Sequence, residues 1–405
     1  MNNKKIIIVT PKFPWPNTGA CEQERLQGIV DFIRYGYEVT VISKVHAYQN
    51  KKDIYSFAEK IGIKLFLVDY RIISNNRIKK VFIILKRFFS FIYWDGATFE
   101  YTDKNISQVF KKQIQHNKPN LVWFDYTYLW PLYKIAKKAH IKIVTRSINF
   151  EARHFLEEDG YNLLNLIKFI PKLINEYITI KKTNIMFSIT PKEMLMYRKM
   201  QPSIEISNLP LRSLPGLLVN DRGIIDKKVV DVFFMGASYN VVHNRAALEL
   251  VIKDIAPQLN KEMPGIFKIH ILGSKLPNEY TQYFNENVIY DGYVDNLSNF
   301  LDNMDIALIP SLYGAGMQQK IFEPLVRGIP TISSTRGLAG YPFKNNEHIL
   351  LADDIIDFVE ALKKMRDIDT RRRLSCNAIN LSQQLFSKQK IDSIIKENII
   401  KLNIV

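Results

Sequence analysis

Residues 305–334, DIALIPSLYGAGMQQKIFEPLVRGIPTISS, contain the pattern that decides the fold. Two short apolar runs, DIALIP and IPTISS, flank a glycine-rich loop and an amphipathic helical stretch. Apolar runs without polar alternation are typical of strands buried on both faces, as in parallel sheets covered by helices. The stretch therefore predicts one strand–helix–strand unit of a parallel α/β sheet.

The same alternation of apolar runs and longer amphipathic segments extends along the whole chain of 405 residues. The first half contains apolar runs at 6–10, 37–42, 63–68, 121–124, 141–145 and 185–190. The second half contains further runs at 229–236, 267–273, 288–292, 305–310, 329–334 and 348–352. These two sets predict an α/β chain with two tandem Rossmann-like domains that face each other across a ligand-binding cleft.

The predicted domain boundaries follow from composition. Residues 207–228 contain prolines and glycines without a clear period, which indicates a linker. We therefore predict an N-terminal domain over 1–206 and a C-terminal domain over 229–385. A helical tail runs from roughly 354 to 402, with interruptions near Asp367 and Phe386. Its last part, 386–405, is a helix that can pack back on the N-terminal domain.

Composition also restricts the class of protein. A hydrophobic content of 47% with 24% charged residues is typical of a globular protein and not of a disordered one. Cys21 and Cys376 are too far apart and too few for a disulfide framework, which predicts a reducing, cytoplasmic location. No uninterrupted apolar stretch reaches about 20 residues, the length that a membrane span needs. The formal net charge of +16 predicts an anionic partner, such as nucleic acid, a membrane surface or a phosphorylated ligand.

The loop after DIALIP has the features of a phosphate site. Gly314 and Gly316 allow a backbone turn that directs amides outward, and the following helix adds the positive end of its dipole. Lys320 can reach a phosphate oxygen as a point charge. Glu323 lies three residues further on the same face and can accept hydrogen bonds from sugar hydroxyls. Taken alone, the stretch leaves a plain glycine-rich connection with a surface Lys–Glu pair equally open.

Residues 229–360 resemble the donor domain of family 4 glycosyltransferases, which are GT-B enzymes related to glycogen synthase. The resemblance lies in FFMGASYNVVHN, VIYDGYVDNL, GLAGYPFKNNEHILLADD and the pattern Gly-x-Gly-x-x-x-Lys-x-x-Glu followed by Gly-x-Pro. The glycine-rich loop matches a branch of bacterial polysaccharide glycosyltransferases. The resemblance implies that a nucleotide-sugar contacts Gly236, Tyr293, Gly314, Ala315, Gly316, Met317, Lys320 and Glu323.

The first half resembles the same family more loosely, in TPKFPWPNTGACEQER and TRSINFEARHF. The resemblance implies that Gly19, Asn149 and Glu151 lie on the acceptor side. A plain turn glycine explains Gly19 about as well. A helix N-cap and a first-turn acid explain Asn149 and Glu151 nearly as well.

Four positions depart from the family pattern. Ala315 stands where the commonest form has a glutamate, a change that the glycine-rich-loop branch shares. Ala237, Ile148 and Ala20 replace an arginine, a histidine and a glycine, respectively.

The histidine that the family often has after the fourth strand is also missing, and Asp125 occupies that strand end beside Tyr126 and Tyr128. We therefore expect Lys320, Glu323 and Asp125 to carry the chemistry.

Two segments combine basic and apolar residues in a way that suits an interfacial helix on an anionic membrane: 77–94 and 163–182. For 77–94, a domain helix packed on the sheet is the favoured alternative. Basic, aromatic stretches could instead bind nucleic acid, but no recognition motif for it is present, so nucleic acid is not expected as a partner.

The sequence thus predicts a glycosyltransferase that moves a sugar from a nucleotide-sugar to a glycan or lipid-linked glycan acceptor in surface polysaccharide biosynthesis. Retention at the anomeric carbon is implied by the resemblance. No cofactor or metal is expected, because Lys320 and the helix dipole can stabilise the diphosphate. A non-catalytic nucleotide-sugar-binding protein and a GT-B epimerase are the alternatives. The expected location is cytoplasmic, with peripheral binding to the inner face of the membrane as a further expectation.

Overall fold

A computed structural model describes residues 4–70, 85, 89–90, 94–313 and 316–403. The chain divides into two compact units, which we call the first and the second domain. The first domain comprises Met1–Ser213 together with Ile391–Val405, and the second comprises Leu214–Lys390. The division after Ser213 falls within the predicted linker 207–228.

Within the described residues, the first domain contains a sheet of seven parallel strands in the order β3-β2-β1-β4-β5-β6-β7. The strands are β1 (Lys5–Lys12), β2 (Glu38–Val45), β3 (Lys64–Asp69), β4 (Leu121–Asp125), β5 (Lys142–Arg146), β6 (Ile185–Ser188) and β7 (Glu205–Asn208). Ile8 of the central strand β1 lies beside Val41 of β2 and Trp123 of β4. All three are buried, as the apolar runs predict.

Strand β7 was not predicted, and the predicted domain end at 206 cuts through it. Its four residues are Glu205, Ile206, Ser207 and Asn208, of which only Ile206 is fully buried. It lies at the edge of the sheet, where it pairs with β6 alone. An edge strand needs little apolar surface because half of its backbone faces no neighbour, so no apolar run marked it in the sequence.

Helices connect the strands of the first domain: α1 (Ala20–Arg34), α2 (Lys51–Lys60), α3 (Gly96–Tyr101), α4 (Lys104–Asn117), α5 (Tyr133–Lys138), α6 (Glu151–Asp159), α7 (Leu163–Lys182) and α8 (Pro191–Met200). Side-chain caps set several of their starts. Asn50, Asp103 and Thr190 accept hydrogen bonds from the first-turn amides of α2, α4 and α8, respectively. The segment 77–94, with its predicted interfacial helix, lies outside the described residues except at 85, 89, 90 and 94.

The second domain contains, over its described residues, a sheet of six parallel strands in the order β10-β9-β8-β11-β12-β13. The strands are β8 (Val230–Ser238), β9 (Phe267–Ser274), β10 (Val288–Gly292), β11 (Ile306–Ile309), β12 (Thr331–Ser333) and β13 (Leu350–Leu351). Each corresponds to a predicted apolar run. The prediction of an α/β chain with two tandem Rossmann-like domains is therefore confirmed.

The helices of the second half are α9 (Val242–Glu249), α10 (Ala256–Glu262), α11 (Leu297–Asp302), α12 (Gln319–Val326), α13 (Ile355–Lys364), α14 (Ile368–Phe386) and α15 (Lys388–Ile400). The tail is interrupted where the sequence predicts it, since Asp367 caps α14 and Ser387 separates α14 from α15. In α15, Ile391, Ile395 and Ile399 recur every fourth residue and pack in the core of the first domain.

Candidate functional site

The glycine-rich loop lies at the carboxyl end of β11, where ligands bind in open α/β sheets. Gly316 has a φ of +74°, which favours glycine because an L side chain would clash there. Two hydrogen bonds close the described parts of the loop. Ser311 Oγ donates to Gln318 Oε1 at 3.2 Å, and Gln318 Nε2 donates to the carbonyl of Tyr313 at 3.3 Å. Gly314 and Ala315, two predicted donor contacts, lie outside the described residues.

Lys320 lies in the first turn of α12, directly after this loop. Burial lowers the pKa of its ammonium group from 10.5 to about 8. Over the part of the chain that the structure describes, no carboxylate pairs with it to offset this burial. A desolvated cation without a counter-charge is costly. An anion bound at this point would therefore be stabilised both by Lys320 and by the first-turn amides of α12.

Glu323 lies one turn further along α12 and is buried. Its carboxylate accepts hydrogen bonds from Gln319 Nε2 at 3.0 Å and from Arg327 Nε at 3.1 Å. Arg327 Nη1 in turn donates to Ser298 Oγ at 3.0 Å. These bonds fix the orientation of the carboxylate, whose two oxygens can still accept further hydrogen bonds from a ligand.

A second element at this corner was missed by sequence reasoning. It is the short 3-10 turn Thr335–Leu338, which follows β12. Arg336 of this turn donates to the carbonyl of Leu312, at the start of the glycine-rich loop. A Cβ atom on Gly337 would come within 2.5 Å of Ile321 Cδ1, which shows how closely the turn approaches the first turn of α12. The turn thus brings a second cation to the loop. The sequence does not indicate this position, because a single arginine after an apolar run carries no recognisable pattern.

The remaining predicted donor residues are not all brought together. Met317 is buried beside Gly316. Gly236 lies in β8, where a Cβ atom would come within 2.7 Å of the Tyr239 ring, so the glycine makes room for that ring. Tyr293 is 69% exposed and follows the edge strand β10, which β9 and β8 separate from β11.

In the first domain, Gly19 is the N-cap of α1. A Cβ atom at this position would lie 2.5 Å from Glu22 Oε2, so the glycine allows Glu22 to fold back over the helix start. Glu22 there pairs with Lys12 at 3.1 Å and with Arg25 at 3.4 Å.

Asn149 lies between β5 and α6 and is not the N-cap, which is Phe150, whereas Glu151 is the acidic first residue of α6. The carbonyl of Asn149 accepts a hydrogen bond from Ser147 Oγ at 2.7 Å. Burial, together with the neighbouring Glu176 carboxyl, raises the pKa of Glu151 to about 8. At neutral pH its carboxyl group is therefore largely protonated and can donate a hydrogen bond.

Asp125 ends β4 with a side chain that is 1% exposed. Its carboxylate accepts a hydrogen bond from Trp123 Nε1 at 2.9 Å and lies 3.9 Å from Arg212 Nη2. Burial raises its pKa. These partners are all internal to the domain, so the arrangement gives Asp125 a structural role, and its catalytic role stays a prediction.

Aromatic side chains that follow β2, β3 and β4 form a row together with Tyr101, the last residue of α3. Successive ring centroids lie 4.0 Å apart for His46–Tyr70, 5.5 Å for Tyr70–Tyr101, 5.6 Å for Tyr101–Tyr128 and 5.0 Å for Tyr128–Tyr126. Tyr126 has a φ of +91°, a strained conformation for a residue with a side chain. Sequence reasoning noted Tyr126 and Tyr128 but not the row, because its members come from separate segments of the chain.

The family comparison decides what the second domain is. Residues 230–367 match the family described as Glycosyl transferases group 1. The chain is a glycosyltransferase with a group 1 domain over this range. Within this glycosyltransferase, the matched range contains β8, the glycine-rich loop, Lys320, Glu323 and Arg336. Among curated proteins, none matches the chain.

Solved structures share the fold of both domains of this glycosyltransferase. Sucrose-phosphate synthase from Thermosynechococcus elongatus is 13% identical, with a TM-score of 0.69 and 99% of each chain covered. HepE from Anabaena, in complex with UDP, is 10% identical, with a TM-score of 0.64 over 98% of this chain and 100% of that chain. TarM from S. aureus is 10% identical, with a TM-score of 0.66 over 98% of this chain and 99% of that chain. These likenesses confirm the predicted GT-B fold.

Metal sites and membrane-spanning helices are the two other features that bear on the function. Across the described ranges, no group of three or more His, Cys, Asp or Glu side chains could hold a metal ion. Likewise, no helix in the described part of the glycosyltransferase is long and apolar enough to cross a membrane. Metal-independent transfer stays a prediction.

Proposed function

We propose that this glycosyltransferase moves a sugar from a nucleotide-sugar donor to a glycan or lipid-linked glycan acceptor, with retention at the anomeric carbon. The observation that carries the proposal is the half-buried Lys320, whose ammonium has a lowered pKa and no carboxylate partner among the described residues, directly after the glycine-rich loop. A nucleoside diphosphate supplies the counter-charge that this cation lacks. The structure of HepE contains UDP, and that of TarM contains UDP and α-GlcNAc-glycerol, which supports the same classes of ligand here.

In the proposed reaction, the bond between the anomeric carbon and the diphosphate oxygen breaks, and a bond forms from that carbon to an acceptor hydroxyl oxygen. The hydroxyl proton leaves to the diphosphate, whose negative charge grows as the bond breaks. Lys320, the loop amides and the α12 dipole would stabilise that charge. Arg336, which donates to the carbonyl of Leu312 beside the loop, is in our proposal the second cation and compensates for the alanine at position 237.

Glu323 would accept hydrogen bonds from the ribose hydroxyls of the donor. Its carboxylate is already oriented by Gln319 and Arg327, so little conformational freedom is lost when a ligand binds.

The proposed acceptor contacts lie at the carboxyl edge of the first sheet. Aromatic rings pack against the C–H faces of sugars while hydroxyl and carboxyl groups bond to the sugar hydroxyls, which is the usual composition of such sites. The row from His46 to Tyr126, together with Gly19, Asn149 and Glu151, supplies both kinds of group. We place the enzyme in the cytoplasm, in surface polysaccharide biosynthesis, with the inner face of the membrane as a partner.

The test is incubation of the purified protein with a panel of nucleotide-sugars and an extract of lipid-linked glycans, with the Lys320→Ala variant alongside. We expect transfer of the sugar and release of the nucleoside diphosphate from one donor, both lost in the variant. Nuclear magnetic resonance of the product distinguishes retention from inversion. An isomerised donor would identify an epimerase instead. Donor binding without any turnover across the panel would contradict the proposal.

A further inference from the structure

Helix α7 buries several polar side chains and leaves a stripe of large apolar ones exposed, although Phe169, Leu173 and Ile180 pack on the domain. The polar side chains of Asn165, Asn175, Glu176 and Thr179 are buried. Its opposite side presents large apolar side chains to solvent: Leu163 at 75% exposure, Ile167 at 53% and Ile170 at 53%. Leu164, next to this face in the first turn, is 69% exposed. A helix on a globular domain normally buries its apolar stripe and exposes its polar one. The exposed stripe of α7 is therefore not explained by the packing of the first domain.

Hydrogen bonds on the buried side fix this orientation. Asn175 Nδ2 donates to Asp95 Oδ2 at 3.1 Å, and Thr179 Oγ1 donates to the carbonyl of Thr127 at 2.7 Å. Glu176 accepts from Tyr197 at 2.8 Å. A rotation of the helix that buried its leucines would break all of these bonds and leave buried polar groups without partners. The apolar stripe is thus held outward by the fold.

The stripe has the composition of a segment at a membrane–water interface. Leu163, Ile167, Ile170 and Tyr177 follow one another at spacings of four, three and seven residues, which places them on one face of the helix. Lys181 closes this face, with its ammonium 4.2 Å from the centroid of the Tyr177 ring. Tyr161, at 70% exposure, precedes the helix. Tyrosine and lysine at the ends of an apolar stripe are typical of interfacial helices.

The distribution of charge favours an anionic occupant. The sequence of the first domain contains 36 basic and 20 acidic residues, whereas that of the second contains 20 of each. The whole net charge of +16 therefore belongs to the domain that carries α7. Lys168, Lys181 and Lys182 on α7 itself are exposed. A second copy of the same chain would repel this domain, while anionic lipid headgroups would attract it.

We propose that the exposed stripe of α7 docks the first domain on an anionic phospholipid bilayer, with the helix lying in the plane of the interface. Lys168, Lys172 and Glu176 interrupt the apolar character of α7, and no described helix meets the requirements for a membrane span. Insertion is therefore limited to one face of the helix. Delivery of a lipid-linked acceptor is a consequence that rests on the proposed function, whereas the docking does not.

The experiment is flotation of the full chain with vesicles of phosphatidylcholine containing phosphatidylglycerol, compared with vesicles of phosphatidylcholine alone. The test variant combines Leu163→Gln, Ile167→Gln and Ile170→Gln, changes that keep good helix formers at exposed positions. The control variant combines Leu195→Gln, Ile356→Gln and Ile400→Gln, whose side chains are exposed by 55%, 65% and 62%. Circular dichroism and thermal unfolding establish that both variants keep the fold.

We expect the parent chain and the control to bind the anionic vesicles and to be released by salt, and the test variant to bind at least ten-fold more weakly. Equal binding of the test variant, or binding of the parent chain that ignores lipid charge, would overturn the proposal. The proposal would also be overturned if the parent chain sedimented as a dimer and the test variant as a monomer, because the stripe would then be an interface between copies. The assay contains no donor or acceptor. Failure of membrane docking and failure of sugar transfer can therefore be distinguished from each other.

Discussion

The two domains share a parallel α/β architecture, but the Glu24 cluster of the first and Lys320 of the second differ in how their charge is compensated. In the first domain, the carboxylate of Glu24 accepts hydrogen bonds from Arg146 Nη2 at 3.1 Å and from Arg212 Nε at 2.9 Å, and all three side chains are almost completely buried. In the second domain, Lys320 has a lowered pKa and no carboxylate partner among the described residues. The first arrangement is complete within the chain, and the second is not.

The difference teaches which buried charges serve the fold and which serve a ligand. A charge paired inside the protein contributes to the folded state mainly by the penalty that follows when one partner is lost. A charge left unpaired at the edge of a sheet lowers stability until an external counter-ion arrives. The same contrast applies to apolar surface, since the core of each domain is closed whereas the stripe of α7 is exposed.

The largest effect should come from the internal network. Glu24→Gln removes the carboxylate that Arg146 and Arg212 share and leaves only Asp125, 3.9 Å from Arg212, so we expect the free energy of unfolding to fall by about 3–5 kcal/mol. Glu38→Gln is the matched control, because Glu38 pairs with the exposed Lys64 and should change stability by about 1 kcal/mol or less. Urea denaturation measures both variants. Equal stability of the two variants would show that the buried Glu24 network does not stabilise the fold more than an exposed ion pair does.

The unpaired lysine should control turnover instead. Lys320→Ala should lower turnover by roughly a hundred-fold or more, as loss of one preorganised donor does in other enzymes. Donor affinity should fall less, because the charge on the diphosphate grows toward the transition state. Lys320→Arg should restore only part of the rate. Steady-state kinetics with the identified donor measures this, and Lys344→Ala, at an exposed lysine of the same domain, is the control. Near-native turnover of Lys320→Ala would place the diphosphate elsewhere.

Glu323 sharpens the comparison because it is buried, paired and still predicted to bind a ligand. Glu323→Gln should weaken donor binding by about ten- to a hundred-fold, the cost of roughly 1.5–3 kcal/mol for one charged hydrogen bond. Isothermal titration with the nucleoside diphosphate measures the change. Arg327→Leu removes the internal partner of the same carboxylate and should alter affinity only a few-fold. If Arg327→Leu weakens binding as much as Glu323→Gln does, the carboxylate acts through Arg327 and not on the ribose.

The smallest expected effect is a gain in stability. In the unliganded protein the pKa of Lys320 is about 8 when folded, below the 10.5 of an unfolded lysine. Between these values the unfolded chain binds more protons, so the free energy of unfolding rises with pH, and the cost of the buried charge is fully present below pH 8. Lys320→Met should therefore stabilise the protein by about 1–3 kcal/mol at pH 7. That advantage should shrink near pH 10. An advantage that does not change with pH would mean that charge burial is not its cause.

The strongly periodic parts of the molecule could be predicted from the sequence because their signal is local. Apolar runs such as 6–10 and 305–310 specify strands buried on both faces, and alternation with helices specifies parallel sheets. The polar strand β7 escaped because an edge strand carries no such signal. For the proposed site, Gly316 and Lys320 were predicted from spacing in one loop, whereas Arg336 was not, because only the packing of Gly337 on Ile321 brings it near.

The sequence by itself determined the fold class, the glycine-rich loop and the cation that follows it, because each depends on residues that are neighbours in the chain. The tertiary structure alone decided where buried charges find their partners. Glu24 meets Arg146 across 122 positions, and Asp125 meets Arg212 inside the domain. It also decided that α7 exposes its apolar stripe, because hydrogen bonds to Asp95 and to the carbonyl of Thr127, and one from Tyr197, hold the polar side of the helix inward. Contacts between residues that are distant in the chain depend on how the helices and strands pack in three dimensions, and no local sequence pattern specifies that packing.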